Sequence, residues 1–531
     1  MCGFSGILKL NSENNIDILE VVSSMNERLK HRGPDDKGTW IDNKKVVSFS
    51  HRRLSIVDLS EAGHQPMISK CGRYVIVFNG EIYNHRLIRN QIETYTNNSK
   101  SILWDGQSDT ETILEAISIW GFEKSINKFI GMFSIACWDK EKNELLLTRD
   151  RIGEKPLYYG IQNNLFVFSS EIKAFKEVKD FSLEINKEII PIYISRNFIP
   201  APYSIYKNIY KLKPGTFLRI NENILSENKE IKAIPYWDLE KDTISKNYNE
   251  KHNMSDMEII DNIDYLLKKS ISDQLLADVP VGAFLSGGID SSLVVSIMKS
   301  ITNKKIKTFS LGFNEIEYDE SSYAKKIAKY LDTDHTEYKL TSIEAIKIIE
   351  NLPNIYDEPF ADVSQIPMVM ISQIAQKSVK VCLSGDGGDE LFGGYNRYIY
   401  GANLWKIINV IALPFRKFIA KIMFNIPFKK IEYIFRFLSL RRFYKLRLNL
   451  LSQKFYKFAN LLTTEKISQI YSKVAFENNI EDIFLDKNNF KLINSDIEYL
   501  PNLDLPHNLM YQDTKIYLPD NVLCKVDRAA M

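Results

Sequence analysis

Apolar residues come in short runs along this chain, and their spacing predicts two differently built halves. Residues 74–78 (Tyr-Val-Ile-Val-Phe) read as a β-branched and aromatic strand that runs straight into Asn79-Gly80-Glu81. Residues 51–58 alternate basic and apolar positions, as an inner strand does. Ser108-Asp109-Thr110-Glu111 precedes an apolar run and predicts a helix start, with Ser108 as N-cap and Glu111 closing a capping box. Residues 239–256 are polar and rich in Lys, Asn and Asp, which marks a linker between domains at 2–238 and 257–531. A helix is expected over 261–276. Residues 279–285 then form an apolar run with the length and flanks of a buried parallel strand, and 293–298 an opening helix. Strands at 307–313, 335–338 and 379–383, with a helix at 323–330 between the first two, continue the alternation of a parallel α/β sheet.

A chain of 531 residues has room for two or more cores. A formal net charge of +2 gives no general argument for nucleic acid. Five scattered cysteines (Cys2, Cys71, Cys137, Cys382, Cys524) fit a reducing compartment better than a zinc site or a disulfide framework. No basic leader followed by an apolar run stands at the start, and no apolar stretch is long enough to span a bilayer. A cytoplasmic location is expected.

The strand at 279–285 breaks at Ser286-Gly287-Gly288-Ile289-Asp290-Ser291-Ser292 into a helix. Such a break presents unpaired N–H groups and the positive end of a helix dipole, a place for a phosphate. Asp290 would repel that phosphate unless a cation lies between, which points to magnesium. The segment lacks the lysine of the Gly-Lys-Ser/Thr loop and resembles the pyrophosphate-binding loop of the ATP-pyrophosphatase family. A second run, Ser384-Gly385-Asp386-Gly387-Gly388-Asp389, follows the strand at 379–383 and is its natural partner across the sheet edge.

At the other end, Met1-Cys2-Gly3 would leave Cys2 with a free α-amine once Met1 is removed. An amine of pKa about 7.7–8 beside a thiol of pKa about 8.5 can serve as its base, so nucleophile and base belong to one residue. Asn79-Gly80 can set an amide side chain beside a backbone N–H, as an oxyanion hole requires.

Cys2-Gly3, Arg32-Gly33-Pro34-Asp35, Arg53-Leu54-Ser55-Ile56, Asn79-Gly80-Glu81, Ser108-Asp109, residues 149–159 and Ser169-Ser170-Glu171 resemble, in order, the class II glutamine amidotransferases. With the second half, the whole chain resembles the glutamine-hydrolysing asparagine synthetase family. The resemblance implies an N-terminal α-β-β-α amidotransferase domain built on antiparallel sheets, of the N-terminal nucleophile type. It implies a C-terminal α/β domain on a parallel sheet, of the ATP-pyrophosphatase type. It further implies Cys2 as nucleophile, Asn79 and Gly80 at the oxyanion, and Arg53, Val57, Asn79, Gly80, Glu81 and Asp109 around glutamine. ATP would meet Leu285, Ser286, Gly287, Gly288, Asp290, Ser291, Ser292, Leu311, Ser384 and Gly385. Magnesium would be held by Asp290 and Asp389, and Asp386, often glutamate in the family, would help form the adenylate. Glutamine, aspartate and ATP are the implied substrates, with ammonia passing through an internal tunnel and a homodimer left open. The segment at 358–367 between the two motifs is the expected acceptor wall; aspartate is the default acceptor, with another carboxylate such as a sugar acid left open.

His51 and Arg52 are given no role, surface charge being one reading of them. Residues 401–460 carry Lys and Arg, including Arg416, Lys417, Lys421, Lys429 and Lys430, around Pro414 and Pro427, which are expected to break helices, with Glu432 as the single acid. They read as a helical cap whose basic side faces water, in preference to a membrane-touching surface. Family members continue past the segment 518–531 into a stretch with a lysine of the adenylation step. The expectation is therefore a piece of a longer product or an impaired synthetase half, with Lys525 given no role.

Overall fold

The computed structural model describes residues 2–10, 16–96, 102–179, 181–221, 231–245, 254–313, 319–427, 430–431, 448–476 and 498–530. Part of the expected linker, together with Lys429 and Glu432, lies outside the described residues. The chain divides into two compact units, one of Met1–Asn186, Ile199–Asp386 and Pro519–Met531, the other of Lys187–Phe198 and Gly387–Leu518.

In the first unit, two antiparallel sheets carry the N-terminal part. One orders Ile209–Lys211, Tyr158–Gln162, Leu165–Ser169, Gly3–Lys9, Val47–Arg53 and Asp36–Ile41 side by side. The other orders Ile234–Pro235, Thr216–Ile220, Glu144–Arg149, Gly131–Asp139, Tyr74–Ile82 and Met67–Ile68. Because side chains alternate along a strand, each sheet has two faces to bury. The inner faces meet through Phe4, Phe49, Val75, Val77, Leu145 and Leu147. The outer face of the second sheet, with Ile76 and Phe78, packs under Ile88, Ile113 and Ile117 of the helices His85–Thr96 and Asp109–Trp120. The outer face of the first takes Val22 and Met25 of the helix Ile18–Arg28. This is the α-β-β-α order the resemblance implied.

Ser108 does cap the helix Asp109–Trp120, accepting from the Thr110 N–H. Glu111 does not close the capping box. Its carboxylate instead accepts the N–H groups of Asp105 and Gly106, which lie in the loop leading into the helix.

The same unit holds a parallel sheet ordered Asp334–Leu340, Lys307–Phe313, Val281–Phe284, Val381–Leu383. Successive strands leave Val281–Phe284 in opposite directions, so the order reverses at its C-terminal end. Ligands of open parallel sheets bind at such a point. The helix expected over 261–276 spans Asp256–Gln274 and starts with a full capping box, Ser255 and Glu258.

The second unit is helical. Pro414 does not break a helix as expected: it sits in the first turn of Leu413–Phe424, where its missing N–H costs nothing. Arg416 does not face water. It is buried, and its Nη1 donates to the Thr464 carbonyl at 3.0 Å because the helix turns it onto the chain after Leu448–Leu462. Lys417, Lys421 and Lys430 are exposed. Among the described residues no helix is long and apolar enough to cross a membrane.

Candidate active site

One pocket forms where the first strand starts and the strand Val47–Arg53 ends. Cys2 is half-buried just ahead of Gly3–Lys9, its Sγ 3.8 Å from the Leu54 carbonyl oxygen. Burial pushes its thiol up. About 420 Å³ of space, part of it open to solvent, lies before it. Cys2, Arg53, Val57, Gly80, Glu81 and Asp109 all line it.

Asn79 sits between two of the lining residues, Phe78 and Gly80. It shares the inner strand face with Val75 and Val77 and is fully buried. Neither its Nδ2 nor its Oδ1 has a hydrogen-bond partner. An unpaired buried amide costs roughly 1–3 kcal/mol, and here both of its polar atoms are free to meet a ligand.

Arg53 closes its strand and is aimed by the following loop. Nη1 donates to the Ser60 carbonyl at 2.8 Å and Nη2 to the Asp58 carbonyl. A Cβ on Gly63 would stand 1.7 Å from Nη2, so only glycine leaves the guanidinium its place. Asp58 in turn knots the loop, its carboxylate taking the N–H groups of Ser60 and Gln107 at 3.0 and 2.7 Å. Neither Gly63 nor Asp58 was singled out from the sequence. A lone glycine and a lone aspartate carry no local signal for a contact made by another strand's arginine.

Opposite lie two acids. Asp109 is the first residue of its helix and accepts the Ile82 N–H at 3.0 Å, yet burial pushes its carboxyl up to about 6. Burial, with the Asp109 charge beside it, pushes Glu81 up to about 8. Two buried carboxyls held against ionisation in one pocket are suited to receive a cation.

His51 and Arg52 are not surface charge. Both are buried because their strand is internal, bordered by Gly3–Lys9 and Asp36–Ile41. Burial holds the His51 imidazole down to about 3, so it is neutral, with Nε2 3.0 Å from the Phe78 carbonyl. Arg52 Nε donates to the Asn26 carbonyl at 3.0 Å.

At the parallel sheet, the chain leaves Val281–Phe284 through Leu285 to Gly288 and enters the helix Ile289–Ile301. Gly287 has φ of 86°, a left-handed conformation that favours glycine. The hydroxyls of Ser286 and Ser291 bond each other at 3.0 Å, and that of Ser292 donates to the Gly288 carbonyl at 2.6 Å. They shape the loop, which leaves the helix N-terminal N–H groups as its anion donors. Leu285 donates its N–H to the Phe309 carbonyl at 2.8 Å, and Leu311 lies half-buried on the adjacent strand. The second motif rests on the first: a Cβ on Gly385 would be 2.9 Å from both Asp290 Cβ and Ser291 N. After Ser384 and Gly385 comes Asp386, whose Oδ1 is 3.9 Å from Lys525 Nζ. Lys525 also donates to Ser364 Oγ at 3.0 Å. Within the expected acceptor wall, Glu358 is taken up by Tyr158 Oη at 2.9 Å, Ile205 N–H at 2.8 Å and Lys211 Nζ at 3.1 Å.

Asp389 belongs to the other compact unit, in the short helix Gly388–Phe392, where its carbonyl accepts the Gly394 N–H at 2.9 Å. Among the described residues no group of three or more His, Cys, Asp or Glu could hold a metal. Magnesium usually takes one or two carboxylates and completes its shell with waters and substrate phosphates. Asp290, half-buried in the first turn after the phosphate loop, fits that pattern.

Two families match. The one described as a glutamine amidotransferase domain matches residues 1–237, and the one described as asparagine synthase matches 262–531. A Methanocaldococcus jannaschii protein named "Putative asparagine synthetase (glutamine-hydrolyzing) 2" is 36% identical over 100% of this chain and 98% of its own length. Asparagine synthetase (glutamine-hydrolysing) 1 of Bacillus subtilis is 34% identical over 75% of this chain and 59% of its own. A similarly named Mycobacterium tuberculosis protein is 31% identical over 77% and 62%. The chain thus spans about three fifths of the length of the Bacillus and Mycobacterium relatives.

Proposed function

Because this chain belongs to the asparagine synthetase family, with an amidotransferase domain ahead of the synthetase domain, we propose that it is a glutamine-dependent amide-forming ligase. It makes L-asparagine from L-aspartate, with nitrogen from glutamine and ATP split to AMP and pyrophosphate, in the cytoplasm. The observation that carries this reading is the pocket in which Cys2, Arg53, Glu81 and Asp109 meet beside an unpaired buried amide. The phosphate loop between Val281–Phe284 and Ile289–Ile301 supplies the other half. The domains are read as 2–238 and 257–531.

In the first site, Arg53 takes the glutamine α-carboxylate, and Glu81 with Asp109 the α-ammonium. The residue-2 α-amine, free after loss of Met1, takes the thiol proton. The sulfur attacks the amide carbon while Asn79 and the Gly80 N–H stabilise the oxyanion. The proton passes to the leaving nitrogen, ammonia departs, and water hydrolyses the thioester to glutamate. A second cavity is lined by Gly153, Glu154 and Leu157 of the first domain and by Pro519 and Cys524 of the last helical stretch.

In the second site, the aspartate β-carboxylate attacks the α-phosphorus of ATP and releases pyrophosphate. Ammonia then displaces AMP from the acyl carbon. The phosphates rest on the N–H groups after Gly288, with Gly385 closing over Asp290. Asp290 would hold magnesium, which neutralises phosphate charge when bound. The acceptor is tested by pyrophosphate release with a panel of carboxylic acids. Turnover of aspartate is expected; turnover of a sugar acid and not aspartate would overturn the product while leaving the nitrogen transfer standing.

The paired acids also predict a pH dependence. Glu81 must lose its proton to hold an ammonium, and burial pushes its carboxyl up to about 8. The KM for glutamine is therefore expected to rise as pH falls from about 8 towards 6, by up to about tenfold per unit. Glu81→Gln should flatten that limb. A KM for the unaltered protein that is constant over this range would contradict the role given to Glu81. The same raised pKa makes Glu81 favour the folded state below about 4.5, a contribution lost as pH rises through about 8.

A further inference from the structure

The Cys2 backbone is held by a side chain whose own orientation is set by a residue near the other end of the chain. Arg32 is fully buried, and its Nε donates to the Cys2 carbonyl at 2.9 Å. Its Nη1 and Nη2 donate to the two carboxylate oxygens of Asp527, both at 2.9 Å, and Nη1 also to Glu171 at 2.7 Å. A Cβ on Gly3 would come 2.9 Å from Arg32 Cδ, so the residue after Cys2 is shaped to let this side chain pass. A two-oxygen fork fixes the plane of a guanidinium, and with it the direction in which the Nε–H meets Cys2. Asp527 is itself held between cations, Lys155 Nζ at 3.5 Å and Arg528 Nη1 at 3.2 Å. Asp527 lies on the seven-residue helix Leu523–Ala529, which also presents Lys525 to Ser364 and Asp386.

We propose that Asp527 is a positioning residue for Cys2, acting through Arg32. The inference rests on the reading of Cys2 as nucleophile. Neutralising a buried cation would need only a nearby carboxylate, and Glu171 supplies one. The fork from Asp527 adds orientation.

The test uses the full chain with Asp527→Asn. Labelling of Cys2 by a diazoketone analogue of glutamine gives both the fraction of competent sites and the rate at which the thiol reacts. Misplacement of a reacting group by about 1 Å can cost on the order of 10²-fold. The variant is expected to label to the same final extent as the parent but about 10- to 100-fold more slowly. Its glutaminase kcat should fall by a similar factor, with KM within about twofold. Ammonia-dependent pyrophosphate release should stay within about twofold, and Asp527→Glu should regain part of the rate. An unchanged labelling rate overturns the proposal. So does a joint fall in labelled fraction and ammonia-dependent release, which would mean a structural role alone. If Asp527→Asn does not fold, Arg32→Lys decides: it keeps the charge and loses the fork, so slow labelling to full extent is expected and a parental rate refutes. If the parent itself does not label at Cys2, the nucleophile reading fails; if it labels but releases no pyrophosphate with ammonia, only the ligase reading does.

Discussion

Replacing Cys2 with alanine is expected to abolish glutamine-dependent synthesis while ammonia-dependent synthesis continues at close to the parental rate. The sulfur is the nucleophile that this reading places in the pocket lined by Arg53, Glu81 and Asp109. Loss of an attacking atom typically costs at least about 10⁴-fold in kcat. The phosphate loop is built by a different sheet, on Val281–Phe284 and the helix Ile289–Ile301, and takes nothing from Cys2. The two activities should therefore separate completely. Glutaminase turnover in Cys2→Ala at the parental rate would rule the assignment out, and simultaneous loss of ammonia-dependent synthesis would deny that the sites are separate. The measurement is pyrophosphate release with glutamine or an ammonium salt as nitrogen source.

Asn79→Ala should be nearly as damaging to the same activity, at little cost in stability. Loss of one oxyanion donor costs about 10²–10³ in kcat, and since the amide meets the transition state, KM for glutamine should move far less. Asn79 is fully buried with both amide atoms unpaired, so truncation breaks no hydrogen bond of the folded chain. Stability is expected to change by less than about 1 kcal/mol. Steady-state kinetics with a thermal melt checks both halves. A large loss of stability with kcat intact would mean that Asn79 is a packing residue.

The parts of this site that are legible in the sequence are those made by short stretches of chain. A strand breaking at Gly287 and Gly288 into a helix, a cysteine at residue 2, and Ser108 ahead of an apolar run each hold their meaning within a few residues. Glu111 shows the limit of that reasoning: its spacing fits a capping box, but two N–H groups of the preceding loop compete for its carboxylate and win. His51 and Arg52 fail for another reason. Alternation along 51–58 predicts an inner strand, but the strand is Val47–Arg53 and only residues 51–53 lie in it; with strands on both sides, even its basic side chains are buried. Arg416 is buried for a related reason: a charge run does not say which of its members the neighbouring chain covers. Contacts such as Arg53 with Gly63, and above all Arg32 with Asp527, join different elements of the fold. No periodicity encodes them.

The most direct measurement of the central claim follows the nitrogen itself. Glutamine labelled with ¹⁵N in its side-chain amide, supplied with aspartate, ATP and magnesium, should yield asparagine carrying the label. One AMP and one pyrophosphate should appear for each amide formed. Label found only as free ammonium, with no pyrophosphate released from ATP, would contradict the account and leave a glutaminase in place of a ligase.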